Sequence, residues 1–331
     1  MEEVALNLAL SSKPRDISYL IDAGKKNVNL SEFVGPRVEE IKSLVLEHGS
    51  VLFRGFNVDA PADFQSFINA LNSKTMKYTY RSTPRTSLDK DIFTATEYPP
   101  QLEIPLHCEN SYQRSWPMWI SFCCITQAAK GGQTPIADVL KVTKALGADL
   151  LDRFAKRGVK YVRHYHPYVD LSWEEVFQTK DRTEVGRFCA ENCIDYEWLD
   201  GDILRTEQVC HGVAEHPLTK ENVFFNQAHL FHPSSLGEKA QRDMERLFGA
   251  TRMPRNACYG DGTEIDLVDL EQVRATFETA ANNMEWQRGD VMILDNMQFA
   301  HGRRAFTGKR LILTSFLNPY RLPTPTLTDH M

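Results

Sequence analysis

No stretch of this chain approaches the ~18 consecutive apolar residues that a membrane-spanning helix needs. Neither a G-x-G-x-x-G turn nor a Walker-type loop is present, so a nucleotide-binding fold has no support. Internal repeats, low-complexity tracts and linker-like stretches are also missing, and the 331 residues are expected to form a single domain, 1–331. Positive charge is in deficit: 38 Lys and Arg stand against 44 Asp and Glu, a formal net charge of −6. That argues against nucleic acid or an anionic membrane as partner. The start, "MEEVALNLALSSKPRD", lacks a basic segment ahead of an apolar one and is not expected to be a signal peptide. Cysteines are few and scattered. The seven include an isolated "CAENC" and an adjacent pair, Cys123–Cys124, neither with structural-zinc spacing. They read as reduced thiols of a cytoplasmic protein.

What is present is ordinary globular material, 42% apolar and 25% charged. "PRVEEIKSLVLEHG" has helical spacing with Gly49 as its stop, and "APADFQSFINALN" is a helix opened by Pro61 and Asp63. Strand-like runs follow: "SVLFRGF", "DIFTATEY", "IPLHCENSY", "MWISFCCIT" and "VKYVRHY", then "DVMILDN" and "RLILTSFLNP" near the end. Helical pieces such as "DVLKVTKALGADLLDRFAKRG" and "DLVDLEQVRATFETAANN" fill the middle. The pattern predicts a mainly β protein, a sandwich or barrel, with a helical insertion at about 138–285.

"IPLHCENSY" carries chemistry that a core strand has no use for. On a strand, positions i and i+2 share a face, so His107 and Glu109 would project together. One imidazole, one carboxylate and a distant second histidine form the facial triad of non-haem Fe(II), which leaves three coordination positions open. Ten histidines and 44 acidic residues make about one H-x-[DE] by chance, so the motif is weak alone. Context strengthens it. In "RGDVMILDNMQFAHGRRAFTGKRLILTSF", His301 follows an apolar strand in a Gly/Arg-rich loop, and Arg310 opens the next strand. A guanidinium there can clamp a carboxylate with two parallel hydrogen bonds. Thr134, in "GGQTPIAD", could donate a hydroxyl to the same carboxylate or simply serve the turn after Gly131 and Gly132.

Across nearly its whole length the chain resembles the taurine dioxygenase/TfdA family of Fe(II)- and 2-oxoglutarate-dependent oxygenases, in the branch typified by the syringomycin aspartyl hydroxylase. The resemblance rests on "VLFRGF", "TATEYPPQLEIPLHCENSY", "AAKGGQTPIADV", "LSWEEVFQT", "FFNQAHLFHPSSL", "RNACYGDGTEID" and "WQRGDVMILDNMQFAHGRRAFTGKR", in that order. It implies a distorted double-stranded β-helix, or jelly roll. It implies His107, Glu109 and His301 as iron ligands, Arg310 and Thr134 as contacts of 2-oxoglutarate, and O2 as second co-substrate. Related halogenases replace the carboxylate ligand by Ala or Gly, so Glu109 speaks for oxygenation. Two departures from the branch are Arg304 and Ala305 after "HGR", and His164 in "VRHYHP".

The expected reaction is oxidation of an unactivated C–H bond in an amino-acid-like small molecule, free or carrier-bound, with 2-oxoglutarate decarboxylated to succinate and CO2. Hydroxylation, desaturation and oxidative ring closure are not separated by sequence. An acidic or zwitterionic substrate needs cations beyond Arg310; Arg81, Arg85 and Arg303 are candidates, with Glu97 for an ammonium and Asn110 for a further hydrogen bond. The alternative is a redox-inert zinc hydrolase or isomerase on the same scaffold. Arg310 and the lack of an obvious general base argue against it. The pairs His164/His166 and His229/His232 are expected to serve structure.

Overall fold

Alternation with period two at both ends of the chain builds a seven-stranded sheet. Its strand order is Tyr19–Asp22, Ser50–Arg54, Val291–Asp295, Ser115–Thr126, Leu311–Arg321, Ile92–Thr94, Ser87–Asp89. The first pair is parallel and the rest antiparallel. The computed structural model describes residues 18–24, 27–76, 80, 82, 85–89, 91–95, 98–166 and 169–322. Along Ser50–Arg54, Val51 and Phe53 face one way, into a core shared with Ile41 and Val45 of helix Val38–His48 and Phe64 and Phe67 of helix Pro61–Ala70. Leu52 faces the other way. Gly49 ends the first helix in the left-handed region, φ 73°, as a residue without Cβ can. The carboxylate of Asp63 accepts from the backbone N–H of Asp59 and Ala60 at the start of the second.

A second, four-stranded antiparallel sheet has the order Asn282–Met284, Thr134–Asp138, Phe299–Arg303, Ile104–His107. Ile136 and Phe299 from it join Leu52, Phe122, Met292 and Phe316 of the large sheet in one buried cluster. The protein is thus mainly β with helices. The aromatic run "SWPMWISF" is core, as its pattern predicts: Trp116 and Trp119 are buried.

The segment between Thr134–Asp138 and Asn282–Met284 is not purely helical. Besides its helices it carries an antiparallel sheet of order Asp195–Leu199, Ile203–Cys210, Val159–Tyr165, Arg255–Tyr259. Ile203–Cys210 is hard to read in sequence because two of its inward positions are polar, Thr206 and Gln208. The long helical run predicted from Asp138 also breaks in two at Gly147, φ 83°, giving Val139–Leu146 and Ala148–Arg157. No helix among the described residues is long and apolar enough to cross a membrane.

Candidate active site

Two neighbouring strands of the small sheet bring the histidines together. His301 is paired directly with His107 across Phe299–Arg303 and Ile104–His107, and their ring centroids are 4.6 Å apart. Side chains opposite each other in an antiparallel pair meet in this way. His301 therefore sits within a buried strand, not in a loop. Glu109 differs too. The strand ends at His107, so the carboxylate does not reach the site by alternation along a strand. It lies in a turn, followed by Asn110 at φ 58°.

That turn is fastened from three sides. Asn296 Oδ1 accepts from the Glu109 N–H at 2.7 Å, and its Nδ2 donates to the Glu109 carbonyl at 2.9 Å and that of Pro117 at 3.0 Å. Gln227 Nε2 donates to the Cys108 carbonyl at 2.7 Å, as does Ser111 Oγ at 2.9 Å. Asn296 and Gln227 escape a search for ligand-type residues, although both stand in segments that resemble the family, "ILDNMQ" and "FFNQAHL".

Donor atoms of His107, Glu109 and His301 all lie within 4.8 Å of one another. Burial holds the His301 imidazole well below its ordinary range, helped by His107 and Arg85. Burial lowers His107 as well, against the opposing pull of Glu109. Both rings are therefore neutral near pH 7, the form that binds metal. His107 Nδ1 is 2.8 Å from the Pro105 carbonyl, so it carries the proton and Nε2 keeps its lone pair. Arg85 Nη2 donates to Glu109 Oε2 at 2.8 Å with both side chains buried. A carboxylate has lone pairs for a guanidinium and an ion together. Two neutral imidazoles and one anionic carboxylate fit Fe(II).

A narrow slot runs from His107 and His301 to Thr134 and Arg310. Arg310 Nε donates to the Gly132 carbonyl at 3.1 Å, and no carboxylate pairs with this guanidinium among the described residues. Burial, with Arg303 nearby, pushes it down to about 10. It stays charged at pH 7 and lacks a counter-ion among those residues. Trp286 Nε1 donates to Thr134 Oγ1 at 2.9 Å, which leaves the threonine O–H to donate into the slot.

On the other side of His107 and Glu109 a cleft of about 460 Å³ opens. Its walls are mostly apolar, with Ile104, Leu230, Phe231 and Met253 among them. Arg85 lines both slot and cleft. Arg303 lines the slot and not the cleft, and it donates to the carbonyls of Tyr98, Pro99 and Leu102, so holding that loop. Asn110 is buried and does not line the cleft. Arg81 and Glu97 lie outside the described residues. His164 and His166 bond the carbonyls of Met253 and Arg252, His229 bonds that of Leu106, and His232 Nδ1 accepts from the Ser234 N–H. Arg304 pairs with Glu103 and Glu278. Two charged residues of the cleft wall, Asp170 and Arg255, do not stand out in sequence.

The family described as taurine catabolism dioxygenase TauD, TfdA matches residues 14–316. The chain is 36% identical to the dapdiamide synthesis protein DdaC of Enterobacter agglomerans over 301 residues, 91% of each chain. It is 29% identical to a clavaminate synthase-like protein of Arabidopsis thaliana over 285 residues, 83% of each. Among solved structures, PvcB of Pseudomonas aeruginosa has a similar fold, with a TM-score of 0.54 at 15% identity over 92% of this chain and 87% of that one.

Proposed function

The chain belongs to the TauD/TfdA family, and from that premise we propose that it oxidises an unactivated C–H bond of an amino-acid-like natural-product precursor. It is an Fe(II)- and 2-oxoglutarate-dependent oxygenase, and turnover consumes O2 and 2-oxoglutarate and releases succinate and CO2. The similarity to a protein of dapdiamide synthesis supports the choice of substrate class. In this reading the two facing sheets are the halves of a distorted double-stranded β-helix. Seven free cysteines, six of them buried, support a cytoplasmic setting.

The residues divide the work. His107, Glu109 and His301 would hold Fe(II), which supplies activation of O2. Arg310 grips the distal carboxylate of 2-oxoglutarate, and Thr134, oriented by Trp286, adds a hydroxyl donor. Arg85 stands between co-substrate slot and substrate cleft and fixes Oε2 of Glu109. Apolar walls keep water from the reacting carbon. The observation that carries the reading is the slot joining His107 and His301 to a desolvated guanidinium without a carboxylate partner among the described residues. A zinc hydrolase would have no use for it.

Equilibrium dialysis tests this directly. The protein should bind one Fe(II) and, with it, one 2-oxoglutarate; His301→Ala should lose the iron. Retained iron and normal succinate production in that variant would remove the assignment.

A further inference from the structure

Besides His107, Glu109, Arg85 and Glu103, the cleft wall carries a further charged pair. Asp170, in the loop after strand Val159–Tyr165, and Arg255, the first residue of strand Arg255–Tyr259, line the same space as His107 and Glu109. Their contact is bidentate: Arg255 Nε bonds Asp170 Oδ2, and Nη2 bonds Oδ1 at 2.6 Å. Nη2 also donates to the Ser82 carbonyl at 2.6 Å. Nη1 is left with no partner among the described residues. Both side chains keep about a quarter of their surface exposed, 27% and 22%.

Asp170 also faces the buried guanidinium of Arg163, which lies opposite Arg255 in the paired strands. Burial works to raise the Asp170 carboxyl, but the two arginines outweigh it and hold it below the usual range. Asp170 thus faces two guanidinium groups. A second anion at Nη1 would complete the site, and Asp170 could accept from a neighbouring ammonium. The backbone supports this arrangement: Asp170 is held at φ 62°, a region costly for a residue with a Cβ, while Oδ1 accepts from the Leu171 N–H at 2.9 Å. Strained, charged and facing the cleft, the pair is built beyond what a surface ion pair needs.

We propose that Arg255, held by Asp170, is the anchor for the head group of a free α-amino acid: the carboxylate binds the guanidinium, the ammonium binds Asp170, and the side chain extends toward His107 and Glu109. This deepens the oxygenase reading and rests on it. It also chooses between free and carrier-bound substrate, because a carrier thioester has no α-carboxylate to present. A cleft of about 460 Å³ is in the range of small-molecule sites and suits a molecule of this size.

The test uses the Fe(II)·2-oxoglutarate form, kept anaerobic, and calorimetric titration with the common L-amino acids and the N-acetyl and carboxamide derivative of each. At least one free amino acid should bind, with its carboxamide weaker by about 30-fold, the loss of one charge-assisted contact. Arg255→Gln should weaken the free acid by a similar factor, bring acid and carboxamide level, and leave 2-oxoglutarate affinity unchanged. Asp170→Asn should narrow the gap between free and N-acetylated forms. If no free amino acid binds, if carboxamides bind as well as acids, or if Arg255→Gln leaves the free acid's affinity intact, the anchor is wrong. The acid–amide comparison on the unaltered protein decides the matter even if a variant misfolds. Failure of the oxygenase reading looks different: 2-oxoglutarate itself would not bind.

Discussion

In the proposed reading a single side chain, Arg310, defines a ligand. A desolvated guanidinium whose one hydrogen bond among the described residues goes to a backbone carbonyl is costly unless an anion completes it. Its planar fork matches a carboxylate in a way that an ammonium does not. Arg310→Lys should therefore raise the Kd for 2-oxoglutarate by about 30- to 150-fold, the loss of a charge-assisted bidentate contact. Isothermal titration of the Fe(II) form measures it, and an unchanged Kd would take the role away from Arg310. His229 makes a prediction about pH. Burial pushes its imidazole down to about 4, while Nε2 bonds the Leu106 carbonyl and the ring stacks on Phe277. The unfolded chain takes up the proton near 6.5 and the folded one near 4, so the neutral ring's contribution is complete above 6.5 and is lost as pH falls through that window. The loss is on the order of 3 kcal/mol. Urea unfolding at pH 7 and pH 4.5 should show a smaller decline for His229→Gln than for the unaltered protein. Equal declines would mean that His229 is not a source of the acid sensitivity.

At the scale of elements, the metal centre depends on how closely two short strands approach. A Cβ on Gly302 would lie 2.5 Å from the Ile104 carbonyl oxygen and 3.2 Å from Pro135 Cγ. The glycine thus permits the strand contact that sets His301 against His107. Gly302→Ala should spread the strands and lower both Fe(II) affinity and Tm; a variant with unaltered metal affinity would show that the approach does not matter. The turn bearing Glu109 depends on Asn296, whose amide satisfies both the N–H and the carbonyl of that residue. Asn296→Ala should weaken Fe(II) binding by about 10- to 100-fold, the usual effect of losing a group that supports a ligand. Metal titration against a competing chelator gives the number, and an unchanged affinity would leave Asn296 with a packing role alone. The same turn marks a limit of sequence reasoning. Spacing identifies His107 and Glu109 as partners, yet the reason given by spacing, a shared strand face, is not how the structure joins them. Local periodicity has no information about Asn296, which arrives from 187 residues away.

For the molecule as a whole, the readable parts of the sequence were those where chemistry restricts residue type. Five strands of the large sheet, its two covering helices and the clustering of His107, Glu109 and His301 each need a particular pattern or side chain, and each is visible in the chain before it folds. Less legible were contacts made by ordinary residues in unusual places. Arg303 reads as a cation for substrate but donates to three backbone carbonyls. The sheet within the central insertion hides behind the inward-facing Thr206 and Gln208. Arg255 and Asp170 meet only because strand Arg255–Tyr259 pairs with Val159–Tyr165, ahead of the loop that carries Asp170. Together the parts make one arrangement: three donors able to hold a metal in the middle, a slot ending at Arg310 on one side and an apolar cleft with a charged wall on the other. The most direct measurement is anaerobic addition of 2-oxoglutarate to the Fe(II)-loaded protein, followed by absorption spectroscopy. The account predicts a visible charge-transfer band that saturates at one 2-oxoglutarate per iron and is absent in His301→Ala. A protein that binds Fe(II) at these residues yet gives no band with 2-oxoglutarate would contradict it.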